Sequence, residues 1–296
     1  MTYEQVAACA VEYPLARVCA VLNLSESGYY AWKQRPPSER EQENQTLKAR
    51  IHAVWQTFRR SYGAPRIQAE LQAQGYAVGK NRVARLMRTL GIQGKGGQKR
   101  RPRTTQSAAS HPVKPNVLAR QFAAERPDQV WLTDITYIET EVGFLYTAGV
   151  MDLYSRQIVG LAMAEHMRSE LTETALEMAF TQRQPDTEEA DLTHHSDRGS
   201  QYTCSTYQQM LARPGITVSM SRSGNCLDNA PMESFWATLK RECADGVFAS
   251  FEQAKAAIFS YVMGFYNRVR RHSALDYLSP HDFEMQFLRQ TCTPLN

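Results

Sequence analysis

Through the first ninety residues apolar side chains return every three or four positions, the period of amphipathic helices. Leu15, Val18, Cys19 and Leu22 share one face, Ser25 stands as a cap before Glu26, Ser27 and Gly28, and Tyr29, Tyr30 and Trp32 resume the pattern. This predicts helix, turn, helix, a pair that fits a helix-turn-helix and equally a plain α-hairpin. Pro36 and Pro37 close the unit. Over residues 41–60, Leu47, Ile51, Val54, Trp55 and Phe58 predict one long helix. A second helical pair starts near Pro65 with Ile67 and Leu71 inward, breaks at Gly75 and Tyr76, and resumes over 81–90 with Val83, Leu86 and Met87 inward. Lys80, Arg82, Arg85 and Arg88 form its outer face, the arrangement that phosphate and groove contacts require, although a merely solvated face looks the same.

Beyond residue 125 the texture changes. Residues 129–139, 143–153 and 157–164 are β-branched and aromatic runs parted by short polar turns, predicting an antiparallel meander of three strands. There follow a predicted helix over 170–182, a short strand ending at His195, a helix over 202–212, a strand over 216–220, a long helix from Ala230 and a last helix over 251–266. Three strands followed by alternating helix and strand predict an α/β sheet of about five strands with helices outside. The predicted units are a helix-turn-helix-like region at 1–40, a second helical unit at 41–93, a basic flexible linker at 94–127 and an α/β core with its tail at 128–285.

The net charge of +4 over 296 residues looks bland, but the chain is polarised. Residues 1–120 hold 20 Lys and Arg against 7 Asp and Glu, whereas 121–296 hold 14 against 23. A basic front half fits a polyanionic partner, and an acidic back half gathers cations. The expectation is a helical half that binds DNA apart from the core, with Lys99, Arg100 and Arg101 in the linker lying along a phosphate backbone. The six cysteines are scattered, which predicts neither a zinc site nor a disulfide framework. No apolar run approaches the ~20 residues a bilayer needs, and Glu4 and Glu12 interrupt any secretory pattern. The expected compartment is the cytosol, with the nucleoid when DNA is bound.

Asp134 lies in the middle of the first predicted strand, among Trp131, Leu132, Ile135 and Tyr137, where an unpaired acid is costly. A metal ion would explain it. Asp197 follows the strand ending at His195, at the carboxyl end where sites open in α/β sheets. Glu233 lies on the helix after the loop 221–229. Three carboxylates from strand, strand end and helix suit two-metal phosphoryl chemistry, with ions ~3.5–4 Å apart. Taken singly, each acid has a structural reading: a buried ion pair, a turn cap and a helix surface charge.

Between Asp197 and Glu233 stand 35 residues. On this interval the chain resembles the DDE transposases and retroviral integrases, and more closely the second-frame transposases of the insertion-sequence-three family. The resemblance rests on Trp131 to Tyr137, on His195 to Tyr202, on Asp228, Asn229 and Ala230 with Glu233, Ser234 and Phe235, and on a tail of Tyr266 and Asn267, then Arg270, then His272 to Leu275. The segment Tyr62 to Arg66 extends it into the basic half. The resemblance implies an RNase H-like catalytic core behind an all-helical DNA-binding region, and Asp134, Asp197 and Glu233 as catalytic and metal-holding residues. Two Mg²⁺ ions, with Mn²⁺ as substitute, are the implied cofactors. The implied partners are the element's terminal repeats and target DNA, a homo-oligomer on DNA, and an upstream-frame product or frameshift fusion. Asp276 departs from the Gly common in the family's tail.

Lys240, seven residues past Glu233 and so on its side of the helix, is an expected phosphate contact. Further expected DNA contacts are Arg66, and in the tail Arg268, Arg270 and His272, for which a helix-dipole role is the competing reading. His194 and His195 read as core and turn residues, Asp152 as a turn former and Asp228 as a helix cap. A stand-alone RNase H-like nuclease and a DNA-binding regulator with a dead core remain the alternative readings.

Overall fold

The computed structural model describes residues 3–96, 114–185, 191–213, 215–222 and 226–291. Six helices come first: α1 (Tyr3–Cys9), α2 (Leu15–Leu22), α3 (Glu26–Gln34), α4 (Glu39–Thr57), α5 (Ala64–Ala73) and α6 (Lys80–Thr89). Their starts follow the local chemistry. Ser25 caps α3 by accepting from the Gly28 N–H, Ser38 and Glu41 close a capping box on α4, and Pro65 occupies the first turn of α5. Helices α1–α3 bury their own small cluster of Val6, Val18, Cys19 and Tyr29.

The sheet comprises β1 (Val130–Thr140), β2 (Gly143–Asp152), β3 (Ile158–Ala164), β4 (Leu192–Ser196) and β5 (Ile216–Met220), in the order β3-β2-β1-β4-β5. β1, β2 and β3 pair antiparallel, while β4 and β5 join parallel to β1. This is the expected meander extended by two parallel strands, an RNase H-like arrangement. Alternation along β1 sends Trp131 to one face and Leu132 to the other. Trp131 packs with Val150, Val159, Leu176 and Phe180 beneath α7 (Ser169–Arg183). Leu132 packs with Met232, Trp236 and Leu239 of α10 (Ala230–Glu242). The helix predicted over 202–212 is broken into α8 (Ser200–Thr203) and α9 (Ser205–Leu211).

Two expectations need correction. The second helical unit is not an independent body, because Ile51, Phe58, Tyr62 and Ile67 belong to the same buried cluster as Met232, Tyr261 and Phe265. Phe58 meets Phe265 with ring centroids 6.3 Å apart, and the Arg59 guanidinium lies 5.2 Å from the Phe265 ring centre. The described ends of the predicted linker are also fixed. Lys95 pairs with Asp245 at 2.7 Å. Leu118 is buried, and the Val117 and Leu118 N–H groups donate to Ser219 Oγ at the end of β5. Polar composition concealed this anchoring, since one apolar side chain and a few backbone donors suffice to lay a strap on a sheet edge. Lys99, Arg100 and Arg101 lie outside the described residues.

The last predicted helix divides into α11 (Phe251–Phe259) and a π-helical stretch, Ser260–Tyr266, whose Tyr261, Val262, Phe265 and Tyr266 are buried. Helix α12 (Pro280–Thr291) follows the tail. Asp276 has φ 49°, the left-handed conformation glycine takes most easily, which Asp tolerates better than most residues.

Candidate active site

The register brings two acids to one level of the sheet. Leu132 of β1 faces His195 of β4, so Asp134 and Asp197, each two residues further along parallel neighbours, emerge side by side. Asp197 begins the turn beyond β4, where its Oδ1 accepts from the Gly199 N–H at 2.8 Å. Helix α10 brings Glu233 from above. Its close approach needs Gly149, the β2 partner of Asp134, because a Cβ there would stand 3.0 Å from the Trp236 ring. Asn229 fastens the start of α10 to β1, donating from Nδ2 to the Thr133 carbonyl at 2.9 Å.

Electrostatics register the convergence. Burial, then the charge of Asp197, then that of Glu233 push the Asp134 carboxyl from its ordinary 3.8 up to about 8. Burial likewise raises Asp197, against the Gly199 N–H that stabilises its charge. Lys240 is half-buried with Nζ 4.7 Å from the Tyr137 ring centre; burial lowers its pKa while Asp134 opposes the fall. Lys240 and Asp134 therefore lie in one field. Among the described residues no three His, Cys, Asp or Glu side chains close into a tight metal cage, so the acids stand as an open constellation.

Around the acids stand structural residues, of which Asp228 escaped the sequence reading. Asp228 lies in a short 3₁₀ turn, and Asn229 is the residue preceding α10. Instead of capping the helix, the buried Asp228 carboxylate takes Arg222 at 3.0 Å and Arg120 at 2.8 Å, and accepts from Asn116 Nδ2. It thus ties the strap before β1 to the loop that leads into α10. Asp152 does hold a turn, accepting from Ser155 and from the Asp128 N–H. His195 bridges Ser219 and Ser221, and His194 meets the Tyr207 hydroxyl, so both serve the core.

Residues 124–226 and 214–280 each match a family described as an integrase core domain, and residues 41–102 match an HTH-like domain. Over 272 residues, 91% of this chain and 98% of the relative, the sequence is 46% identical to the "Insertion element IS600 uncharacterized 31 kDa protein" of Shigella sonnei. Over 287 residues, 96% of this chain and 98% of the relative, it is 39% identical to the transposase InsF of insertion sequence IS3A from Escherichia coli strain K12. The chain belongs to the IS3 family of transposases. A fainter likeness, TM-score 0.41 at 13% identity, links 55% of the chain to 99% of the HTLV-2 integrase catalytic core domain in complex with magnesium.

The integrase core makes this IS3-family protein a DDE-type polynucleotidyl transferase. Its expected DNA contacts fall into two groups. Lys80, Arg85, Arg88 and Arg268 are exposed. Arg82 is turned back onto α4, binding Glu43 at 2.8 Å and Asn44 at 3.0 Å, so it braces the helical unit instead of extending the open face. Arg270 is also corrected: only 2% of its side chain is exposed, and its Nε and Nη2 grip the Glu242 carboxylate at 2.8 and 2.7 Å. Arg66 and His272 are half-buried beside it. Among the described residues no helix is long and apolar enough to cross a membrane.

Proposed function

We propose that this transposase hydrolyses a phosphodiester at each end of its element and joins the freed 3′-hydroxyl to target DNA. The carrying observation is the convergence of three acids: the β1–β4 register sets Asp134 beside Asp197, α10 brings Glu233 to them, and burial, then the two neighbouring charges, raise the Asp134 carboxyl. Such a site has an unmet demand for positive charge, and hard carboxylate oxygens suit Mg²⁺, with Mn²⁺ as substitute. Asp134, Asp197 and Glu233 would hold two ions, which when bound supply activation of the attacking hydroxyl and stabilisation of the leaving oxygen. Lys240 holds a DNA phosphate beside the acids, and no covalent enzyme intermediate forms. DNA is the partner, with the terminal repeats and the target bound by a homo-oligomer; an upstream-frame product or a frameshift fusion completes the assembly. Pre-cut element ends incubated with target DNA test the assignment: joined products support it, and cleavage without joining reduces the protein to a nuclease.

Lys240→Ala will weaken joining by about tenfold or more, since a hydrogen bond to a charged group contributes roughly 1.5–3 kcal/mol. Crosslinks from position 240 will reach terminal nucleotides; crosslinks confined to distant flanking DNA would show the placement to be wrong. The exposed face of α6 gives a separate expectation. Because α4–α6 share the core's packing, the test uses the full chain: combined Lys80→Gln, Arg85→Gln and Arg88→Gln will flatten the dependence of log affinity on log salt by about 0.9 for each phosphate that is no longer neutralised. An unchanged slope would remove this face from the DNA interface.

A further inference from the structure

Arg66, Arg156 and Arg270 come from three distant parts of the chain and line one cleft of about 160 Å³, together with Ser234 and Thr238 of α10 and His272 of the tail. Only one of the three arginines is neutralised. Arg270 is held by Glu242, whose two carboxylate oxygens are taken up by that guanidinium and by the Tyr261 hydroxyl. Arg66 donates Nε to the Arg271 carbonyl at 2.9 Å, and Arg156 makes one long contact, 3.4 Å, to the Phe122 carbonyl. Neither forms an ion pair among the described residues. Glu242 acts on Arg66 and Asp152 on Arg156 only from a distance, so two guanidiniums without an ion pair face one cleft, and burial lowers the pKa of both; a bound anion would offset that desolvation cost.

The other wall groups agree. Burial, then the charges of Arg270, Arg66 and Arg156, hold His272 well below its ordinary pKa, so the ring is neutral. A guanidinium only donates, so the 3.4 Å contact from Arg270 Nη1 assigns the lone pair to His272 Nε2 and the proton to Nδ1. Neutral His272 lines the cleft without adding a charge, and the Ser234 and Thr238 hydroxyls add two donors. Arg156 takes a left-handed backbone conformation, φ 62°, in the turn between β2 and β3, a strained position for a non-glycine side chain. The set is rich in donors with two charges in excess, which is the chemistry of oxyanion recognition.

We propose that this cleft is a phosphate-binding subsite that seats a backbone phosphate of the DNA strand entering the catalytic centre. The source follows from place: the cleft is lined by Pro231, Ser234, Phe235 and Thr238 on the flank of α10 turned away from Glu233, so a strand that passes from the acids around α10 meets it. DNA carries one phosphate per ~3.4 Å of axis on each strand, so a strand with its reacting phosphate at the acids has neighbours within reach of the cleft. The cleft also joins the helical unit through Arg66, the sheet through Arg156 and the tail through Arg270, so an occupied subsite would clamp all three on the same strand. The choice of DNA as the source rests on the proposed transposition chemistry.

The test uses the full chain carrying Glu233→Gln, which keeps the DNA uncut. Arg66→Met and Arg156→Met are compared with Arg66→Lys and Arg156→Lys, which retain charge if the apolar replacements unfold; Arg270 is left intact as a structural residue. In one arm, inorganic phosphate at matched ionic strength will raise the melting temperature saturably in the parent, and the Met variants will lose the response. In the other arm, element-end duplexes carry single methylphosphonate linkages near the cleavage position. One such linkage will weaken binding by the parent about tenfold or more, and the Met variants will be indifferent to that linkage while remaining sensitive to others. Phosphate binding without any linkage-specific coupling would overturn DNA as the occupant, leaving a free-anion site. Absence of both responses in the parent would overturn the subsite. Neither arm requires cleavage, so a protein that fails to cut or join DNA could still satisfy both.

Discussion

Asp134→Asn, Asp197→Asn and Glu233→Gln will each abolish cleavage and joining while DNA binding survives. An amide keeps the size of the carboxylate and loses the charge that holds a divalent cation, so neither the attacking hydroxyl nor the leaving oxygen is stabilised. Loss of such preorganised charge costs several powers of ten, because the contribution is made only in the transition state. The structure adds a reason to expect equal severity at the three positions. Asp134 is poised by the charges of the other two, so removing any member changes the field that governs the set. Mg²⁺ or Mn²⁺ will support the wild type, whereas Ca²⁺, with longer and looser coordination, will allow assembly with little chemistry. Labelled element ends, scored separately for nicks and joined products, provide the measurement. Wild-type rates from Glu233→Gln would take Glu233 out of the site, and metal-independent cleavage by the wild type would overturn the mechanism.

The sheet and its acids were legible because their signals are local. The β-branched and aromatic runs over 129–164, parted by short polar turns, report three strands, and an Asp inside the first is conspicuous whatever surrounds it. What sequence could not show was pairing across distance. Arg82 and Arg270 looked like members of exposed cationic groups, yet Arg82 meets Glu43 and Arg270 meets Glu242, partners 39 and 28 residues away. Charge totals carry no information about which charges cancel inside. The same limit hid the strap at 114–120: of its apolar residues only Leu118 is buried, without a period to betray it, and the strap's anchorage depends on Ser219 and Asp228 a hundred residues later. Conversely, the cleft of Arg66, Arg156 and Arg270 is visible only when three segments are folded together.

Asp134→Asn will also stabilise the metal-free protein, and the gain will grow with pH. Burial and two like charges raise the folded-state carboxyl to about 8, above its ordinary 3.8. Between these values the folded state binds a proton that the unfolded state has released, so wild-type stability is greatest at the acid end and is lost as pH rises toward 8. At ~1.4 kcal/mol per pH unit the full window has a ceiling of ~6 kcal/mol, and partial access of water to the site reduces the expected effect to roughly 2–3 kcal/mol. Asparagine is nearly isosteric and has no charge to lose, so the variant escapes this slope. Melting temperatures measured in chelator from pH 5 to 8.5 will therefore diverge, the variant rising above the wild type by several degrees at the alkaline end. Added Mg²⁺ will narrow the gap by stabilising the wild type, whose ionised acids bind it. Parallel melting curves across that range would show that Asp134 is not held in a field of neighbouring carboxylates, and the proposed site would lose its electrostatic foundation.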